Sequence, residues 1–466
     1  MSERSVIISV GLALLMLGVW LGVDLSMRGP NVEPIALLDF EPAAVDRMEV
    51  TQGQSRVWIE REEWLGSTQW VIRWGRGGAD QTWPADETRV RAALRVLATT
   101  TLDPGQAPVR GGGTLSLRTA DGAVHTLEFD DRPIAGRIGV SVRSSGRATG
   151  GLTDAALFDA FVRTGLLAWR DERVLLSPGV GPSRVFIEAG REALALARRD
   201  GRWTLLEPLT SPADPDAAGA LIRTLAGLRV ERFMEDLRVD DDRTGLDHPL
   251  ARIEAEHDFR VAAGNGFESK LVRQTLTIGG ATDLSGATVH GLVEWTLEDG
   301  SNVKRSLVGP VVVAMSTEQL NKLTTSPGPY VSKVSTILLP SSIQDVSLSV
   351  GSRSVHLERL GTTWAIRSER LFSGDAATIS GMVELLCQKP AERVVVGPQA
   401  AGMDDGGVSV KLVARGGAGS AELIVRGSVD PVGTWVVDGR VQRFYAGAGE
   451  LAAELTSLVE RLGAEE

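Results

Sequence analysis

The side chains best suited to chemistry are few in this chain and widely spaced. Its five histidines are His125, His248, His257, His290 and His356. His125, His290 and His356 fall in strand-like alternation, where an imidazole is ordinarily exposed or satisfied within the fold. His248 and His257 flank "PLARIEAE", a spacing that fits neither H-E-x-x-H nor another short zinc pattern. The single cysteine, Cys387, sits in the apolar helical pattern "MVELLCQ" and reads as a small buried hydrophobe. One cysteine permits no intrachain disulfide and no cysteine zinc site.

Carboxylates concentrate in "MEDLRVDDDRTGLDH", which carries Asp236, Asp240, Asp241, Asp242 and Asp247. Calcium favours clustered carboxylates around a turn glycine. The spacing is not that of an EF-hand loop, and the distal glutamate is missing. A solvated acidic turn is the simpler reading, with calcium as the alternative. The glycine-rich stretches "RGGG" at 110–113, "ARGGAGS" at 414–420 and "YAGAGE" at 445–450 contain no G-x-x-x-x-G-K-[ST] loop. No G-x-S-x-G elbow is present. Nothing in the sequence gathers a nucleophile, a base and an oxyanion site. No catalytic, cofactor-binding or metal-ligating residue is therefore assigned, no cofactor is implied, and an enzyme is not expected.

The elements that hold these residues are written three times. "DRMEVTQGQSRVWIER", "SRVFIEAGREALALAR" and "QDVSLSVGSRSVHLER" each alternate apolar and polar residues around Gly53, Gly190 or Gly351. Met48, Val50, Val57 and Ile59 surround the first glycine. Val185, Ile187, Leu194 and Leu196 stand at the same offsets from the second, and Val346, Leu348, Val355 and Leu357 from the third. Period-two alternation around a turn glycine predicts a β-hairpin with one buried face. A tryptophan strand follows. Trp203 and Trp364 lie equally far from their glycines, while an insertion leaves Trp70 and Trp74 as rivals in the first copy. These tryptophans are expected to anchor cores.

Next in each copy comes an amphipathic helix, with Asp86, Asp214 and Asp375 expected as N-caps. Its buried stripe is Val90, Leu94 and Leu97 in the first copy. The corresponding residues are Ala218, Ile222 and Leu225, then Ile379, Val383 and Leu386. Strands resume in "GTLSLRTADGAVHTLEF", "RQTLTIGGATDLSGATVHGLVEW" and "GVSVKLVARGGAGSAELIV". A short closing helix is expected from Thr153, from Ser316 and near Gly449. The fold class is therefore α+β: three modules, each an antiparallel sheet packed with one long and one short helix, at 41–173, 174–340 and 341–466.

The 466 residues suit about three domains. A formal net charge of -11 argues against nucleic acid as a partner. "SVIISVGLALLMLGVWLGV", residues 5–23, is uncharged and apolar, nearly long enough to span a bilayer as a helix. A cleaved signal peptide would want a shorter apolar core and small residues at its cleavage site, which "GVWLGVDLSM" does not supply. Residues 1–23 are expected to be a transmembrane signal anchor in contact with the lipid bilayer and 24–40 a linker. The bulk of the chain would then be extracytoplasmic, in a bacterial inner-membrane, single-pass arrangement.

Several motifs resemble a known family. These are the hairpin ending in "GRW", the helix "PADPDAAGALIRTLAGLRVERF", the "TGLDHPLARIEA" step at 244–255, and "LLAWRDERVLLS". They are similar to the bacterial "domain of unknown function 4340" repeats, over most of residues 41–466. The likeness is clearest in the second copy. The third only echoes the Gly-Leu-Asp step, in "AAGMDDGGVSV", and the first lacks it. The resemblance implies an accessory protein of ABC-type transporter components of the gliding-motility kind, with no enzymatic residues to carry over. The expected function is a non-catalytic, membrane-anchored scaffold or accessory subunit, partnered by an ABC ATPase and permease. The alternative is an extracytoplasmic binding module for envelope lipid or glycan. Open edges of antiparallel sheets would accept a partner strand in the first case.

Overall fold

Alternation around the three glycines produces three hairpins in one register. The computed structural model describes residues 33–466 except 65–66, 77–78, 106–108, 110, 145, 164, 176–180, 200, 264–265, 299–303, 324, 367–368, 397–406, 418, 429–432, 449 and 466. Met48 stands opposite Ile59 and Val50 opposite Val57. Val185 and Ile187 face Leu196 and Leu194, and Val346 and Leu348 face Leu357 and Val355. All of them are buried. Gly53, Gly190 and Gly351 have φ of 57°, 61° and 57°. A Cβ at any of them would touch nothing, so backbone conformation alone calls for glycine there.

Each hairpin sits mid-sheet. Its first strand pairs on the other side with the first long strand after the helix. Val45–Gln52 thus lies between Ser55–Trp64 and Gly111–Thr119. Arg184–Ala189 lies between Glu192–Arg199 and Ala251–Ala263, and Ile343–Val350 between Arg353–Leu360 and Val408–Ala414. The result is antiparallel sheets of ten, nine and ten strands. The first also takes in Ile35–Ala36, paired with Thr101–Pro104, from the stretch read as a linker. The chain divides into two compact units, residues 1–171 and 172–466, the second holding two of the sheets.

The α+β expectation is corrected: the protein is mostly β, with 54% strand and 22% helix. The balance shifts because the strands run long where the closing helices run short. Ala251–Ala263 and Gly266–Ala281 have 13 and 16 residues. The closing helix expected from Ser316 is a single turn, Thr317–Leu320. The one expected from Thr153 is one α-turn, Ala155–Phe158, followed by a π-turn. Only the third, Leu451–Leu462, is a full helix.

The membrane expectation is corrected as well. Residues 5–23 lie outside the described residues, and no described helix is long and apolar enough to cross a membrane. The longest, Ser373–Cys387, has 15 residues, where a span takes about 20. Single-pass inner-membrane placement, with the bulk of the chain periplasmic, finds no support in the described chain.

Two of the three caps form as expected. Asp86 accepts from Arg89 N at 3.1 Å, and Asp214 from Asp216 N and Ala217 N at 3.0 and 2.9 Å. The third helix instead begins at Ser373, without a side-chain cap. That places Asp375 inside the first turn, where a carboxylate still complements the helix dipole and accepts from Arg461 at 2.6 Å. Val90, Leu94, Leu97, Ala218, Leu225, Ile379, Val383 and Leu386 are buried, while Ile222 is half-buried and Leu221 takes its place.

Candidate functional site

The residues with chemical potential are spread through the sheets, each engaged locally. His125 is buried, with Nδ1 2.8 Å from Ser144 Oγ. His290 is buried, its Nδ1 3.2 Å from the Gly280 carbonyl. His356 is exposed, 3.0 Å from Ser347 Oγ and 3.6 Å from Asp345. His248 is exposed and lies 3.6 Å from Asp247. Burial pushes the Cys387 thiol up to about 12, far from the range in which thiolates react at neutral pH.

The acidic stretch is a folded turn. Asp241 caps the short 3-10 turn Asp242–Thr244 and accepts from Arg243 N, Nε and Nη2 at 3.1, 2.8 and 2.5 Å. Those hydrogen bonds, the side-chain ones foremost, hold its carboxyl down to about 2. Asp240 pairs with Arg238 at 3.2 Å, and Asp236, Asp242 and Asp247 are exposed. The Gly-Leu-Asp step closes this turn. Gly245 adopts φ 63° and presses on Gly279 and Gly280. A Cβ on Gly279 would lie 2.3 Å from the Thr244 carbonyl oxygen, so the step serves close backbone contact. Among the described residues, no three His, Cys, Asp or Glu side chains are grouped to hold a metal.

A buried polar cluster lies within residues 172–466, at the joint between their two sheets. Arg443, on Val441–Ala446 of the third sheet, is fully buried. Its Nη2 donates to Ser211 Oγ at 2.6 Å, on the Ser211–Pro212 strand of the second sheet, and its Nε donates to the Ser332 carbonyl at 2.9 Å. Asp438 stands 4.0 Å from Nη1. Burial raises the Asp438 pKa and lowers that of Arg443. The chain's two tyrosines are both here. Tyr445 OH lies 2.7 Å from Ser335 Oγ, and the Tyr330 carbonyl accepts from the N–H of the helix-capping Asp214 at 2.8 Å. Among the described residues the serine hydroxyl meets a guanidinium and no base, an arrangement that does not raise its nucleophilicity. The arrangement is a clamp between sheets.

This clamp was not singled out from the sequence. Its signal was present in "VQRFYA", where a charged residue shares a strand face with Val441 and Tyr445. A buried arginine there calls for acceptors, and those come from segments 111 and 232 positions away.

A small recess lies beneath the helix Pro215–Gly227, lined by Pro182, Ile222, Leu225, Ala226, Ala255 and buried His257. Its volume of about 20 Å³ admits roughly one water. The outer face of the same sheet is a lattice of charges. Arg273 reaches Glu256 at 2.8 Å and Glu298 at 3.6 Å, and Lys304 reaches Glu298 at 3.0 Å.

No known protein family matches the sequence, and no curated protein matches it. Among solved structures, a chain from the crystal structure of the S. cerevisiae core factor at 3.2 Å aligns at 8% identity with a TM-score of 0.09. The alignment covers 74% of this chain and 63% of that one. A superposition this poor carries no argument. By its own architecture the chain is a mostly-β protein of three antiparallel sheets, two of them clamped by a buried arginine.

Proposed function

We propose that the chain is a non-catalytic scaffold, an accessory subunit that holds other proteins together. One observation carries the reading: a single hairpin-and-helix unit is built three times in identical register, and the residues with chemical potential mostly serve it structurally. Asp86 and Asp214 cap helices, Asp241 caps a turn, and His125 and His290 bond inside sheets. Repetition of a unit without a shared reactive centre suits display of surfaces. The partner class, an ABC-type ATPase and its permease, comes from the sequence resemblance alone. A lipid or glycan module would want a wide apolar groove, and the recess under Pro215–Gly227 is too small to serve as one.

The test is affinity purification of the full chain from its native cells in mild detergent, with mass spectrometry of the eluate. Stoichiometric recovery of an ABC ATPase and its permease is the expected result. Recovery of the chain by itself, or with lipid or glycan only, overturns the proposal.

A further inference from the structure

Among the described residues, the strand Ala251–Ala263 is covered on one of its two sides for only half its length. Arg184–Ala189 pairs with Ala251 to Glu256, and the last bond on that side runs from Ser183 N to the Glu256 carbonyl at 2.7 Å. From His257 to Ala263 the strand pairs with Val272 to Gly266 on its other side. Among the described residues, no strand adjoins its open side. Backbone direction alternates along a strand. The Glu256 carbonyl points to the open side, so the N–H and C=O groups of Asp258 and Arg260 point there too.

Four other sheet margins are blunted. Lys304–Ser316 carries Pro310, Ala79–Pro84 ends in proline, Ser211–Pro212 is two residues with a proline, and Glu369–Arg370 is two residues. Prolines and short strands are the usual guards against edge pairing. His257–Ala263 has neither.

Its side chains specify a partner. Asp258 and Arg260 are exposed on one face, with half-buried Phe259 between them on the other. Neither charge has an ion-pair partner among the described residues. We propose that this edge pairs antiparallel with the same edge of a second copy of the chain, about a two-fold axis through Phe259. Asp258 then lies opposite Arg260 of the second copy, and Arg260 opposite its Asp258. These are hydrogen-bonded pairs, giving about four backbone bonds, and opposite charges directly across a ladder are stabilising.

The register is unique. A two-fold axis through Asp258 sets aspartate against aspartate, and one through Arg260 sets arginine against arginine. A slip of one residue puts the apolar face against the charged one. The Asp-Phe-Arg triplet is complementary to itself in one alignment only. The contact is small, so the dimer is weak and concentration-dependent.

Sedimentation velocity of the full chain over a concentration series tests this. A reversible monomer–dimer equilibrium is expected. Asp258→Arg and Arg260→Asp each place like charges opposite one another and should weaken dimerisation by about tenfold or more. The double variant Asp258→Arg/Arg260→Asp restores the complement and should return to within about threefold of the parent. As an independent readout, Phe259→Cys should form an intermolecular disulfide on mild oxidation, since non-hydrogen-bonded cross-strand pairs approach to about 4.5 Å between Cα atoms. A chain that stays monomeric up to about 100 μM, well above a micromolar dissociation constant, overturns the proposal. So does a double variant no better than the singles, or a Phe259→Cys variant that does not cross-link.

Discussion

Trp364 and Trp203 stand at the same distance from their hairpin glycines and face the same kind of residue, Arg359 in one sheet and Arg198 in the other. Trp364 is buried to 2% exposure, whereas Trp203 is only partly covered. The difference comes from the helix above. Trp364 Nε1 donates to Ser380 Oγ at 3.2 Å, beside Ile379. The corresponding positions on Pro215–Gly227 are Gly219 and Ala218, which offer neither the hydroxyl nor the bulk. The second sheet buries Trp295 completely instead, from the long strand Thr288–Glu298. An identical strand pattern thus fixes where a side chain points, and the facing element decides whether it is covered.

Truncation should expose this contrast most strongly. Trp364→Ala should cost about 3–5 kcal/mol, as large-to-small core changes do, while Trp203→Ala should cost about 1–2 kcal/mol for its partial burial. Denaturant titration of both variants measures the gap; equal losses would mean that Trp203 is as deeply packed as its counterpart. A smaller effect of opposite sign is expected from Gly219→Ala. A Cβ there meets only the end of Arg223, at 3.5 Å. Replacing a helix-interior glycine should therefore add about 0.5–1 kcal/mol. Loss of stability on that change would mean the helix needs closer contact at Gly219 than this packing gives.

The least effect concerns a surface turn. Arg243 hydrogen bonds hold Asp241 down to about 2, below the ordinary carboxylate value of about 3.9. The stabilising contribution is therefore complete above the ordinary value and is lost as pH falls toward about 2. A carboxyl-carbon NMR titration should place the Asp241 midpoint there, and Arg243→Ala should return it toward the ordinary range. A wild-type midpoint near 3.9 would remove the hydrogen bonds from the account.

Local rules made the repeats legible. Alternation around Gly53, Gly190 and Gly351 fixed the hairpin registers, and Asp86 and Asp214 marked helix starts. Asp375 misled because Ser373 and Gly374 also accept helical geometry, which starts the helix earlier. The mostly-β balance was harder to read. Thr317–Leu320 and Ala155–Phe158 carry helix-start signals but stop after one turn, and a start signal does not encode length. The Arg443 clamp was illegible for another reason. Its acceptors, Ser211 and the Ser332 carbonyl, are chosen by tertiary approach and leave no local periodicity.

That clamp also imposes an order in time. The Ser211 strand and the Ser332 joint are synthesised 232 and 111 residues before the arginine that joins them. At about 5–20 residues per second, the second sheet leaves the ribosome roughly six seconds or more ahead of Arg443. Until then, the Ser211 hydroxyl and the Ser332 carbonyl lack this donor. Docking of Val441–Ala446 supplies it, so the closing step of assembly in residues 172–466 belongs to one of the last strands to be made.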